Sequence, residues 1–303
     1  MQPAPSERSC FLQMVVGGLL LMGVVVVGTG CTNRAPQPGT YSPFGTIDTI
    51  ATTEAPRDSI LALLDQMNRA AFDSAFARLD GYAVTRYART EQMDTTGAIT
   101  AYRALTLRYA PDSAAGTVQR ADSAGTFGEG GFLSGITPAQ QRTAQPANLA
   151  AQALADQPAY LAPRTQEAYR YALRRDSLLY GTPVFVVEAK ARSGDRGADQ
   201  DIRYARLTIA RESHELTGLT TTRSSRILLF QEHSQATIRL RPLPDSTDSS
   251  SDGSRDRARV QASRDWVPHL ARFRAVVDVP FRTAQQFRTV SAYYGYEERD
   301  AGS

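Results

Sequence analysis

Residues 267–281 read VPHLARFRAVVDVPF. Phe273, Ala275, Val277, Val279 and Phe281 fall at every second position, with Arg272, Arg274, Val276 and Asp278 between them. A period of two puts the first set on one face of a β-strand and the charges on the other. Such a strand has one side for a core and one for water, and arginine on the wet side discourages pairing between exposed sheet edges. The pattern recurs: Ala236, Ile238 and Leu240 alternate with Thr237, Arg239 and Arg241, and Ala205, Leu207 and Ile209 alternate with Tyr204, Arg206 and Thr208. Working outward, strand signals follow in close succession. Residues 168–181 (AYRYALRRDSLLYG) connect through Gly181-Thr182-Pro183 to 184–192, and then come 202–210, 216–223, 226–233 (RILLFQEH), 236–242, 267–281 and 284–297. Upstream, 82–92 and 98–109 flank a Thr95–Gly97 turn, with Ile99, Ala101, Leu105, Leu107 and Tyr109 on one face interrupted by Arg103, and a third strand covers 116–127. The total is about eleven strands, and short turns between sequential strands imply an antiparallel meander rather than βαβ units.

Two helical segments interrupt the strands. Ile60, Leu63, Leu64, Met67, Ala71 and Leu79 recur at helical period, with Phe72 and Phe76 beside them and Asp65, Arg69, Asp73 and Arg78 elsewhere. They predict one amphipathic helix of about six turns, capped by Asp58 after Pro56, ended by Gly81 and covering a sheet. Residues 138–160 are rich in Ala and Gln, open at Pro138, close near Pro158 and read as a second helix, with Pro146 a point of breakage. Residues 245–264 (DSTDSSSDGSRDRARVQASR) are nearly free of large apolar side chains and read as a disordered loop between strands.

The N-terminus carries a different signal. A polar stretch with Arg8 precedes FLQMVVGGLLLMGVVVV (11–27), then Gly28, Thr29, Gly30 and Cys31. A weakly basic start, an apolar run and small residues make an export signal, and the run is also close to the lower limit of a membrane-spanning helix. The Gly-Thr-Gly-Cys junction resembles the lipobox of bacterial lipoproteins, although Gly28 stands where that pattern prefers a larger aliphatic residue. The resemblance implies lipidation of Cys31 and cleavage before it, with a helix retained over 11–27 as the rival reading. The organisation is then a signal peptide at 1–30, an acylated cysteine and flexible tether at 31–56, and a β domain at 57–303. Cys10 leaves with the signal, so the mature chain has one cysteine and no internal disulfide.

Composition narrows the function classes. In 303 residues, 42 % are hydrophobic and the net charge is +3, which is globular composition with too little excess charge to argue for a nucleic-acid partner. Lys190 is the only lysine. His214, His233 and His269 show no two-ligand spacing, and His214 with Glu212 and Glu215 is the one cluster open to a metal test. There is no G-x-S-x-G elbow, the Gly-rich 125–135 lacks a following Gly-Lys-Ser/Thr, and Asp199 and Asp201 read as turn carboxylates. No catalytic residue, metal or cofactor is expected. Trp266, Tyr293, Tyr294 and Tyr296 read either as an aromatic patch or as sheet packing.

An exported chain with one N-terminal amphipathic helix, about eleven antiparallel strands and a helical insertion resembles the lipoprotein-carrier superfamily over residues 57–297. The likeness is one of pattern and order, without a fingerprint motif. It implies an α+β, mainly antiparallel fold: an unclosed β-barrel with helices on its concave face, where members of that group bind acyl chains. On that reading Phe273, Ala275, Val277, Val279, Phe281, Leu207, Ile209, Ile238 and Leu240 line the concave face, which is either an open cavity or a filled core. The partners expected are a membrane, through lipidated Cys31, and a lipid or lipoprotein acyl chain; the alternative is an envelope protein bound through the Arg-rich outer face. The residue after the cysteine is Thr32, not the Asp that retains some lipoproteins at the inner membrane, so the expected location is the outer membrane, facing the periplasm.

Overall fold

The computed structural model describes residues 55–113, 115–127, 154, 158–192, 202–227, 230–243, 266–278 and 284–298. All of these belong to the larger of two units into which the chain divides, Pro38–Ser303. The alternating segments form β1 (Tyr82–Met93), β2 (Ile99–Tyr109), β3 (Thr117–Ala124), β4 (Tyr169–Leu179), β5 (Thr182–Ala191), β6 (Ile202–Ala210), β7 (Leu216–Ile227), β8 (Phe230–Pro242), β9 (Trp266–Asp278) and β10 (Gln285–Glu298). They make one ten-stranded sheet in the order β3-β2-β1-β10-β9-β8-β7-β6-β5-β4. Every neighbouring pair is antiparallel. β3 and β4 remain as edges, so the barrel is not closed.

The sheet has ten strands where the sequence predicts about eleven. The difference lies in RILLFQEH (226–233), whose apolar run reads as one strand. Its first residues end β7 and its last begin β8, and the two strands meet at the Ile227–Phe230 pair. His233 therefore lies inside β8 rather than at a strand end. The turn before β5 is also placed one step early: Tyr180 (φ 50°) and Gly181 (φ 80°) form it, and Pro183 lies inside the strand. Two successive residues with positive φ match the right-handed twist of a tight hairpin, which glycine adopts without strain.

Register carries one row of side chains across the sheet. Leu173, Val187, Leu207, Leu219, Ile238, Ala271, Ser291, Ala88 and Leu105 are successive cross-strand partners, and all are buried. Ile60, Leu64, Phe72, Ala75, Phe76 and Leu79 join the same core from the N-terminal segment. Each large apolar side chain so buried contributes roughly 1.5–3 kcal/mol.

That N-terminal segment is not one six-turn helix. It is α1 (Arg57–Asp65), α2 (Ala70–Ala75) and a 3-10 turn (Ala77–Gly81). The break is a main-chain bridge. Asn68 N–H donates to the His214 carbonyl at 2.8 Å, and Leu216 N–H donates to the Asn68 carbonyl at 3.0 Å. A residue committed to the start of β7 cannot also serve the helical ladder, and its side-chain oxygen instead accepts from Ala70 N–H at 3.0 Å, opening α2. Pro56, not Asp58, stands at the N-cap of α1, and Asp58 lies in the first turn. α1 packs on β4, α2 on β7 and β9, and the 3-10 turn on β1 and β9.

The signal segment, Cys31, most of the tether, Gly128–Gly135, Asp199, Asp201, the 245–264 loop, Val279 and Phe281 lie outside the described residues. So does most of the helix expected over 138–160, where Leu154 joins the core and Ala159 and Tyr160 lie in a turn.

Candidate functional site

The helix-covered face divides into two parts. Leu207, Ile209, Ile238 and Leu240 are fully buried in the core shared with α1 and α2, so beneath the helices the face is packed. Toward the other ends of the strands the cover changes. Phe273 and Val277 are half-buried and Ala275 is buried, all on the same face. Register runs from Ala236 and Phe273 through Thr289 and Thr90 to Arg103 and Ser123. This row mixes apolar and hydroxyl side chains. Thr90 and Thr289 share a hydrogen bond at 3.3 Å, and the neighbouring Thr221 hydroxyl is buried with no hydrogen-bond partner among the described residues.

At the far end of this row no described helix covers the sheet. Every residue of β3 is exposed. A groove of about 450 Å3 lies there, lined by Leu105, Ala121, Phe127, Arg103 and Ser123 together with Tyr102 and Asp122 of the strand edge. Gly125 (φ 72°) borders it and permits a close approach, since a Cβ there would sit 2.2 Å from the Thr100 carbonyl oxygen. The volume falls within the roughly 300–1,000 Å3 of small-molecule sites. Arg103, the residue that interrupts the apolar alternation of β2, is exposed and lines the groove.

One charge sits beneath the packed part. Arg86 pairs in register with Leu107 and Tyr293 and is fully buried. Its guanidinium donates to Ser291 Oγ at 3.0 Å and lies 5.8 Å from the Tyr293 ring centroid. Sequence alternation missed this residue: arginine is read as outward-facing, and only the β1–β10 pairing supplies the hydroxyl and ring that accept it.

The other sequence candidates are dispersed. His214 occupies the β6–β7 turn at φ 53°, His233 is in β8 and His269 in β9. Glu215 accepts from Ser213 at 2.9 Å, and His214, Glu212 and Glu215 do not form a metal-holding group. Burial holds the His233 imidazole below its ordinary pKa, against the opposing pull of Asp278 and Glu232. Trp266 and Tyr293 are buried and Tyr294 is exposed, so these residues form no common surface. Tyr296 meets Tyr82 edge-on at 5.8 Å. Among the described residues no helix is long and apolar enough to cross a membrane.

No family model matches the chain, and no curated protein matches its sequence. Among solved structures it is similar to a DUF1329 family protein from Desulfovibrio piger, at 11 % identity over 80 % of this chain and 93 % of that one, with TM-score 0.23. A LolA superfamily protein from Nitrosomonas europaea gives 10 % identity, 79 % and 93 % coverage and TM-score 0.21. A domain described as an outer membrane lipoprotein-sorting protein, from Vibrio parahaemolyticus, gives 11 % identity, 79 % and 93 % coverage and TM-score 0.25. Superpositions this loose carry no argument about function. The unclosed antiparallel sheet with helices on one face, which the lipoprotein-carrier resemblance implies, is present in the chain itself.

Proposed function

We propose that this chain is a non-enzymatic, membrane-tethered envelope protein that holds a lipid or lipoprotein acyl chain on the helix-covered face of its open sheet. The acyl chain lies along the row from Phe273 to Arg103. Its anchor is lipidated Cys31, and its place is the outer membrane, facing the periplasm. The observation that carries this reading is the groove of about 450 Å3 where that apolar face runs out from under the helices. An acyl chain gains roughly 0.8 kcal/mol per CH2 removed from water, and Phe273, Val277, Leu105 and Phe127 supply the apolar surface along and beside that row. The buried Thr221 hydroxyl supplies a hydrogen-bonding atom for an ester, and Arg103 supplies a cation at the open end.

Native mass spectrometry of protein purified in mild detergent tests the reading. The wild type is expected to carry lipid. Phe273→Asp, with unchanged circular dichroism, is expected to lose it. A lipid-free wild type that also takes up no fluorescent fatty-acyl probe overturns the proposal. A second reading, docking of an envelope protein on the opposite face, is favoured by the exposed arginines Arg206, Arg239 and Arg272 there. Cross-linking followed by pull-down tests it, and a specific protein partner without bound lipid is the outcome it requires.

A further inference from the structure

The face opposite the helices has a groove of its own. It measures about 320 Å3 and is walled by the end of β4, with Ser177, Leu178 and Leu179 on one side and Arg206, Thr208 and Arg239 among the residues on the other. Cross-strand register explains its floor. Thr208, Gly218 and Arg239 are successive partners, as are Arg206, Thr220 and Thr237. Gly218 sits mid-row without a side chain, where a Cβ would meet Thr208 at 3.3 Å. The missing side chain leaves a hollow between two arginines whose Cα atoms are about 12 Å apart by strand geometry. The β4–β5 hairpin tip reaches over the same surface: Tyr180 meets the His269 ring edge-on at 5.4 Å.

Arginine is the charged residue type that lines this groove, and Glu188 stands beside Arg206 in register. Among the described residues neither Arg206 nor Arg239 is paired with a carboxylate. Glu188 accepts a hydrogen bond from the Tyr204 hydroxyl at 3.0 Å. Arg241 adds a further cation nearby, its guanidinium lying 5.0 Å from the Tyr296 ring centroid. Burial holds the His269 imidazole below its ordinary pKa, against the backbone hydrogen bond with Tyr293, and Arg241 and Arg239 lower it further. Beside the cations lie apolar side chains: Val184 and Val186 are buried, and Leu178 is 73 % exposed.

We propose that this groove binds the phosphate group of an amphiphile, gripped between Arg206 and Arg239 over Gly218, with the first carbons of its alkyl part on Leu178 and Val184. Two guanidinium groups converging on one anion give charge-assisted, geometrically selective hydrogen bonds, and Thr208 and Thr220 add hydroxyl donors. The site is separate from the acyl-binding strip, because the two lie on opposite faces of the sheet and on different strands.

Titration calorimetry with monomeric dihexanoylphosphatidylglycerol, and in parallel with inorganic phosphate, tests it on the full chain. The lipid is expected to bind more tightly than phosphate, and raising the salt concentration is expected to weaken it. Arg206→Gln and Arg239→Gln each weaken binding about tenfold. Both side chains are exposed, and circular dichroism checks that the sheet persists. Uptake of the fluorescent fatty-acyl probe, which carries no phosphate, is expected to be unchanged in Arg206→Gln and Arg239→Gln, so the two proposals fail separately. Equal affinity for phosphate and lipid overturns the amphiphile assignment. Absence of binding, or binding that the arginine variants do not alter, overturns the site.

Discussion

Single side chains show where alternation in the sequence suffices and where it does not. Glu91 looks like one more polar residue of β1. It is buried and receives Arg89 Nε at 2.7 Å as well as the Arg288 guanidinium of β10. Removing its charge leaves two cations side by side, so Glu91→Gln is expected to lower the unfolding free energy by about 1–3 kcal/mol in urea denaturation, whereas Arg288→Gln, which leaves the Arg89 pair, costs less. Arg86 gives a sharper contrast. Arg86→Ala opens a cavity beneath the helices and discards the contact with Ser291, for a cost of about 3 kcal/mol, whereas Arg86→Met keeps the volume and approaches the wild type. Equal losses in thermal and urea unfolding for the two variants would show that the charge, not the packing, matters there. Cys31 decides the anchor: Cys31→Ser is expected to release the protein from the membrane fraction or stall its processing, and unchanged retention would assign the anchor to residues 11–27.

At the scale of elements, the hairpins were legible because their chemistry is local. Asp94 ends β1 and accepts Thr96 N–H at 2.9 Å, Thr96 Oγ1 at 2.7 Å and Ala98 N–H at 3.0 Å, while Gly97 supplies φ 86°. These hydrogen bonds, Thr96 Oγ1 first, hold the Asp94 carboxyl below its ordinary pKa. The single long helix was misread for the opposite reason. The apolar stripe from Ile60 to Leu79 is real, and its residues reach the core, but the main chain at Asn68 is taken by a strand distant in sequence. Asn68→Ala removes the side-chain oxygen that opens α2 while sparing the main-chain bridge. It is expected to cost about 1 kcal/mol, read by differential scanning calorimetry. The β7–β8 boundary was missed because an apolar run with no glycine or proline carries no local mark of a turn.

At the scale of the whole molecule, one seam organises the fold. The meander β1–β3 and the meander β4–β10 meet where the first strand pairs with the last, Ala88 against Ser291. The contact order of that seam is high, which makes it an expensive closure in chain entropy and a late one to complete. Several tyrosines are buried around the core. Burial raises the pKa of Tyr160, Tyr171 and Tyr204, and pushes Tyr169 up to about 12, where its hydroxyl donates to the Ile202 carbonyl at 2.8 Å. A folded-state pKa above the unfolded value of about 10 stabilises the fold fully below that pH. The contribution is lost as pH rises toward the folded value, because the unfolded chain then releases protons the native chain keeps. Alkaline titration is therefore expected to show tyrosinate absorbance and loss of far-ultraviolet dichroism rising together above about pH 10. Ionisation of all tyrosines with the sheet intact would contradict that burial.

The amino-acid sequence alone determined that this chain builds a long antiparallel meander with one apolar and one arginine-rich face, because a period of two is a local property of each strand. Within each strand it also set Leu207 with Ile209, Ile238 with Leu240, and Phe273 with Ala275 and Val277 on one face. Only tertiary structure decided which of them the helices bury and which border a groove, because burial depends on what packs across the sheet. It alone also closed β1 on β10, broke the helix at Asn68 and set Arg206 and Arg239 on either side of Gly218, since each of these joins residues that local patterning keeps apart.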